Sequence, residues 1–174
     1  MDDAIRRQRT VHEAEMIHQS KDAGVSSPYL YFLDVPASTL VMEFVKGSRV
    51  KDLLGAISKR KLEAIFSQFG SDAARLHSTG IMHGDLTTAN VVWRKGNLVF
   101  IDFGLSIHTT RLEDHAVDIR LIKETLVGAH PEVAAVALEA LNRGYASVVG
   151  PSRSRAILKQ LQSIERRGRY ARVV

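Results

Sequence analysis

The chain has 174 residues, 45% of them hydrophobic and 25% charged, with a formal net charge of +5. That length fits one domain with a sizeable core. No apolar run reaches the roughly 18 residues needed to span a bilayer, the opening MDDAIRRQRT has no apolar signal core, and there is no cysteine. These features exclude a disulfide scaffold and thiolate metal sites, give no sign of a membrane protein, and make the cytoplasm the expected location.

In chain order, MDDAIRRQRTVHEAEMIHQSKDAG has aspartates at its front, Gly24 at its end and no internal proline or glycine, which predicts one long helix carrying Glu13 and Glu15. YLYFLDV and TLVMEFV, separated by PAS, predict an antiparallel pair of strands. Ser48 is expected to cap a short helix in RVKDLLG. Leu62, Ile65, Phe66, Phe69, Ala73 and Leu76 recur every three or four residues, as one apolar face of a helix that stops at Gly80. A polar loop follows, and then an apolar run into Asp102. A helix is expected from about Ala116 to Val127. Another should begin with Pro131 in its first turn and an apolar face of Val133, Val136, Ala137 and Ala140. The last helix, SRSRAILKQLQSIERRGRYARVV, is expected to break at Gly168 and leave a mobile basic tail. There is no internal repeat, and the order is not a Rossmann or barrel alternation. The fold class is α+β.

The segment IMHGDLTTANVVW, residues 81 to 93, places Asp85 and Asn90 five positions apart. Both residues could be turn formers around a positive-φ Gly84. LVFIDFGLS then supplies a second carboxylate, Asp102, where an apolar strand ends. Two carboxylates and an amide at strand ends suit a magnesium-nucleotide site. Mg²⁺ takes oxygen ligands and is held by one or two protein groups together with the phosphates. Asn90 and Asp102 would be those ligands, and Asp85 would be free to orient or deprotonate the nucleophile.

MEFV, HGDLTTAN and IDFG, in this order and spacing, resemble the protein-kinase-like superfamily. RTVHEAEM, DFGLS and EDHAVDI bring the resemblance closest to the atypical kinase of the KEOPS complex, the PRPK-type family. It covers nearly the whole chain and implies a kinase fold with a truncated small lobe, residues 1–45, and a reduced, mainly helical large lobe, residues 46–174. It implies ATP and Mg²⁺ as cofactors, Asp85 as the catalytic aspartate, and Asn90 and Asp102 as metal ligands. Glu13 would be the helix glutamate that kinases pair with a strand lysine. The backbone of Glu43 and Val45 would meet the adenine edge, with Met42 as gatekeeper and Val92 beneath the ring. Asp118 would bond the catalytic-loop backbone. Without the resemblance, Glu13 and Asp118 read equally as solvated helix charges, and Val92 as core.

Two departures accompany the match. Thr87 stands where ordinary serine/threonine kinases carry a lysine, as it does in the family resembled. The chain also opens at the helix that normally follows the glycine-rich loop and strand lysine, and its first lysine is Lys21. The resemblance implies ATP hydrolysis or autophosphorylation coupled to partners. These are the threonylcarbamoyl-transferase and other KEOPS subunits acting on tRNA, which Arg166, Arg167, Arg169 and Arg172 could contact through its phosphates. The alternatives are a RIO-type or small-molecule phosphotransferase and a pseudokinase-like scaffold.

Overall fold

The computed structural model describes residues 2–170. The opening helix α1 (Asp2–Asp22) leads through Gly24, at φ 77, into the antiparallel pair β1 (Leu30–Asp34) and β2 (Thr39–Met42). The turn between these strands is fixed by Asp34, whose Oδ1 accepts the Ala37 N–H at 2.9 Å. The aromatic and β-branched content of the strands favours a sheet, and a bulge between Leu30 and Phe32 bends it.

Beyond the linker come β3 (Ser48–Arg49) and the four-residue α2 (Val50–Leu53). Ser48 does not cap α2. It is paired with Trp93 in a strand, and Arg49 occupies the cap position without a side-chain bond. The sheet pairing uses the residue that propensity would assign to the cap.

Helix α3 (Lys59–Ser78) is capped by Ser58, whose Oγ accepts the Lys61 N–H at 3.3 Å, and is followed by Gly80 at φ 80. Its face of Leu62, Ile65, Phe66, Phe69, Ala73 and Leu76 is buried throughout. Phe66 stacks on Phe69 at 5.9 Å, and Phe69 meets Phe100 edge-on at 5.4 Å. Next come β4 (Ile81–Met82), β5 (Val91–Arg94), β6 (Asn97–Phe100) and β7 (Ile107–His108). β5 and β6 form a tight hairpin whose turn residues, Lys95 and Gly96, both take positive φ.

Helix α4 (Leu112–Ala129) starts a turn earlier than the apolar pattern predicts. Glu113 and Asp114 suit the positive end of the helix and extend it past the buried stripe. α5 (Pro131–Tyr170) is broken at Gly150, which has φ 80 and precedes Pro151. Helices α3, α4 and α5 form the bulk of the large lobe, α3 against α5 and α5 against α4. The α3–α5 crossing is close because two glycines sit in it. A Cβ at Gly144 would lie 1.8 Å from the Ser67 carbonyl oxygen, and one at Gly70 would lie 1.9 Å from that of Leu141.

Gly168 does not end α5, which continues to Tyr170. Glycine inside a helix costs about 1 kcal/mol relative to alanine. Buried Ile164 and the ion pairs Lys123–Glu165 and Arg167–Glu113 hold this part of the helix against α4 and offset that cost.

The two lobes share one core. Met16 and Ile17 of α1, together with Val25, belong to the same buried cluster as Phe69, Leu98 and Phe103. The Phe100 N–H donates to the Ser26 carbonyl at 2.8 Å, which fixes the connection after α1 to the end of β6. No helix among the described residues is long and apolar enough to cross a membrane.

Candidate active site

The loop between β4 and β5 is held from below by α4. Asp118, fully buried, accepts the His83 N–H through Oδ2 at 2.7 Å and the Gly84 N–H through Oδ1 at 2.9 Å. It also faces His77 Nε2 at 3.1 Å, so that nitrogen carries the hydrogen, and Nδ1 accepts from the Tyr145 hydroxyl at 2.8 Å. Burial pushes the Tyr145 phenol further up, which keeps it a donor. His115 lies flat on His77, 4.4 Å between ring centres, and burial, then the neighbouring His77 ring, bring its pKa down to about 4. Sequence reading reached Asp118 but not the His77, Tyr145 and His115 assembly behind it. These residues come from three helices, and no local spacing links them.

Gly84 is required twice over. Its φ is 84, and a Cβ there would lie 2.2 Å from the Leu105 carbonyl oxygen. The loop therefore rests directly on the segment that follows Asp102. Ser106 Oγ adds a bond to the His83 carbonyl at 2.9 Å, and the His83 ring packs against Phe103 at 4.7 Å.

Asp85 and Asn90 are in contact. Asn90 Nδ2 donates to the Asp85 carboxylate Oδ2 at 2.7 Å and to its carbonyl at 3.0 Å. The amide nitrogen is thereby used, and no described residue donates to Asn90 Oδ1. Asp102 is brought to the same end of the β5–β6 hairpin by register. Val91 pairs with Phe100, and the Ile101 N–H donates to the Asn90 carbonyl at 2.9 Å. Asp102 adopts φ 63, a left-handed conformation that costs an aspartate about 1 kcal/mol and turns the chain where the strand ends. Asp85 itself lies in the loop ahead of the hairpin, not on it, and Asn90 ties it there.

A cleft of about 430 Å³ opens beside these groups, a size that suits a nucleotide-sized ligand. It is lined by Glu13, Met42, Glu43, Val45, Val92 and Asp102, the residues singled out in the sequence, and also by Pro28, Phe44, Gly47, Arg49 and Ile101. The Glu43 N–H is taken by the Tyr29 carbonyl at 2.7 Å, and its side chain is taken by Arg94 and the Tyr29 N–H. Among the described residues, the Glu43 carbonyl and the Val45 N–H have no hydrogen-bond partner, so this stretch still offers an acceptor and a donor. Gly47 lets the chain lie close against β5, where a Cβ would lie 2.5 Å from the Trp93 carbonyl oxygen and 2.7 Å from Val92 Cγ1.

Glu13 is half-buried, whereas Glu15 is exposed. Burial, then the Asp102 charge, raises the Glu13 carboxyl above its ordinary pKa, against a smaller opposing effect of His12. A Cβ placed on Gly104 would lie 3.5 Å from Asp102 Oδ1 and 3.9 Å from Glu13 Oε2, so the two carboxylates converge over that glycine.

The basic end of the chain is placed differently from expectation. Arg166 and Arg167 are exposed on a continuing helix, and Arg167 is paired with Glu113. Arg169 lies within the same helix, and Arg172 is outside the described residues.

A cleft at the meeting of two lobes, a loop carboxylate bonded to an amide, and a second carboxylate one strand away define a protein-kinase-like domain. Residues 1–134 match the protein kinase domain family. The chain is similar in fold to the structure titled WaaP in complex with acyl carrier protein. The TM-score is 0.70 over 91% of this chain and 75% of that one, at 14% identity. It is 34% identical over 166 residues to the KEOPS complex subunit Bud32 of Pyrococcus abyssi, spanning 95% of this chain and 76% of that protein. It is 30% identical to the EKC/KEOPS complex subunit bud32 of Dictyostelium discoideum, of which it spans 69%. A probable bifunctional tRNA threonylcarbamoyladenosine biosynthesis protein of Methanothermobacter thermautotrophicus is 36% identical, and the chain spans 30% of its length. The chain belongs to the protein kinase family and, within it, to the Bud32 family of KEOPS complex subunits.

Proposed function

We propose that the chain is an ATP-dependent phosphotransferase or ATPase of the KEOPS complex that supports threonylcarbamoyladenosine modification of tRNA by a partner transferase subunit. A cytoplasmic location goes with this reading. The observation that carries it is the cleft itself. Its lining includes Glu43 and Val45, which offer a backbone acceptor and donor, together with Val92 and Asp102, and the β5–β6 hairpin sets Asp102 near Asn90 and its partner Asp85. The names of the relatives in Pyrococcus abyssi, Dictyostelium discoideum and Methanothermobacter thermautotrophicus support the assignment to KEOPS and to tRNA.

The donor set fits Mg²⁺. The Asp102 carboxylate and the unused Asn90 Oδ1 are two hard oxygens, the number a nucleotide-bound magnesium takes from protein. When bound, the ion would neutralise the charge that builds up on the phosphates. In this reading the adenine edge meets Glu43 and Val45, and Met42 limits the back of the cleft. Asp85, oriented by Asn90, accepts the hydrogen of the attacking hydroxyl or water. Residues 1–45 act as the small-lobe side of the cleft and residues 46–174 as the large-lobe side.

Calorimetry of ATP binding with and without Mg²⁺ tests the assignment. Mg²⁺ is expected to tighten binding by the 174-residue chain and to have no such effect in Asp102→Ala. A metal effect of the same size in Asp102→Ala would overturn it.

A further inference from the structure

His12 lies next to Glu13 on α1, and its Nε2 is 2.6 Å from the carbonyl oxygen of Ser106. A carbonyl can only accept, so the hydrogen sits on Nε2 and the imidazole donates. The contact joins residues 94 positions apart. Among the described residues, no other hydrogen bond runs from α1 to any part of the chain beyond Ser38. Elsewhere the inner face of α1 is held by apolar packing of Ala14, Met16 and Ile17, which is non-directional.

The acceptor is in a strategic place. Ser106 is buried, its N–H donates to the Phe103 carbonyl at 3.0 Å, and its hydroxyl donates to the His83 carbonyl at 2.9 Å. Between them, the Leu105 carbonyl presses against Gly84. His12 therefore bonds to a residue that is itself bonded to both the Asp102 segment and the Asp85 loop. One residue after His12, the Glu13 carboxylate converges with that of Asp102 over Gly104, and the two repel one another.

We propose that His12 is a positioning residue. Its bond to the Ser106 carbonyl docks α1 onto the segment after Asp102, so that Glu13, Asp102 and the Asp85 loop take up their places together. The inference rests on the phosphotransferase reading for its consequence at the nucleotide and on the hydrogen bond for the docking itself.

The test uses the 174-residue chain, His12→Ala and His12→Gln, with ATP and Mg²⁺ as probes. Glutamine keeps a donor at the end of a side chain of similar reach. Loss of one hydrogen bond is expected to weaken Mg²⁺-dependent ATP binding in His12→Ala by about 3- to 10-fold. ATP binding without Mg²⁺ should stay unchanged, and His12→Gln should restore the Mg²⁺-dependent value.

Amide hydrogen exchange without nucleotide gives a second readout. Residues 102–108 should exchange faster in His12→Ala, but not in His12→Gln, while the helices α3 to α5 stay as protected as before. Unchanged exchange over 102–108 in His12→Ala overturns the docking role. So does equal loosening of both variants, or loss of protection throughout the molecule. If the parent chain shows no Mg²⁺-dependent ATP binding, the nucleotide reading fails, and the exchange measurement alone decides the docking role.

Discussion

Replacing Asp118 by asparagine removes one acceptor from a buried site where three donors converge. The His83 N–H and His77 Nε2–H meet Oδ2, and the Gly84 N–H meets Oδ1. An amide has one oxygen, so whichever way it is turned, its NH₂ group faces at least one N–H. His77 can relieve part of the conflict by moving its hydrogen to Nδ1 and donating to the Tyr145 oxygen, but the backbone amides of His83 and Gly84 cannot reorient. One charge-assisted bond is therefore lost and one buried N–H is left without a partner, which together cost about 2–4 kcal/mol. A domain with a total stability of roughly 5–15 kcal/mol would remain folded, with a visibly lower midpoint. Urea denaturation followed by circular dichroism measures the loss, with the slope m expected to stay unchanged. Amide exchange at His83 and Gly84 should accelerate more than exchange in α5. A stability loss below about 1 kcal/mol with unchanged exchange at those two amides would refute the argument that Asp118 holds the loop.

His115→Gln should change the acid limb of stability. The folded-state pKa of His115, about 4, lies below its ordinary value of 6.5, so the neutral ring stabilises the fold at neutral pH. That contribution is lost as pH falls from about 6.5 to 4. Denaturation at pH 4.5 and pH 7 should show the parent losing more stability than the variant, by an amount on the order of 1–3 kcal/mol, and equal losses would rule this out. Gly144→Ala drives a methyl group into the Ser67 carbonyl, and backbone cannot yield as a side chain can. The expected result is a fall in Tm of about 5–10 °C, and a Tm within about 1 °C of the parent would contradict the close crossing. Removing residues 166–174 should flatten the salt dependence of tRNA binding, measured with the transferase partner, by roughly 0.7–0.9 in log–log slope for each phosphate that the arginines no longer neutralise. Nucleotide binding should be unaffected, and identical slopes would leave these arginines without a role on the nucleic acid.

The long elements were legible because each needs only its own stretch of chain. The apolar spacing of α3 and its stop at Gly80, and the strand pair β1–β2, follow from local periodicity and turn chemistry. The polar motif residues were legible too, since Asp85, Asn90 and Asp102 sit within one short span whose ends a hairpin brings together. Tertiary structure decided whatever depends on distant partners. Ser48 was drawn into a strand by Trp93, and Gly168 was kept helical by α5 packing on α4. The same applies to His12 and Ser106, and to the stack of His77 and His115 under Asp118. A donor and acceptor separated by tens of residues leave no mark in periodicity, because their meeting is fixed only when the lobes pack around one core.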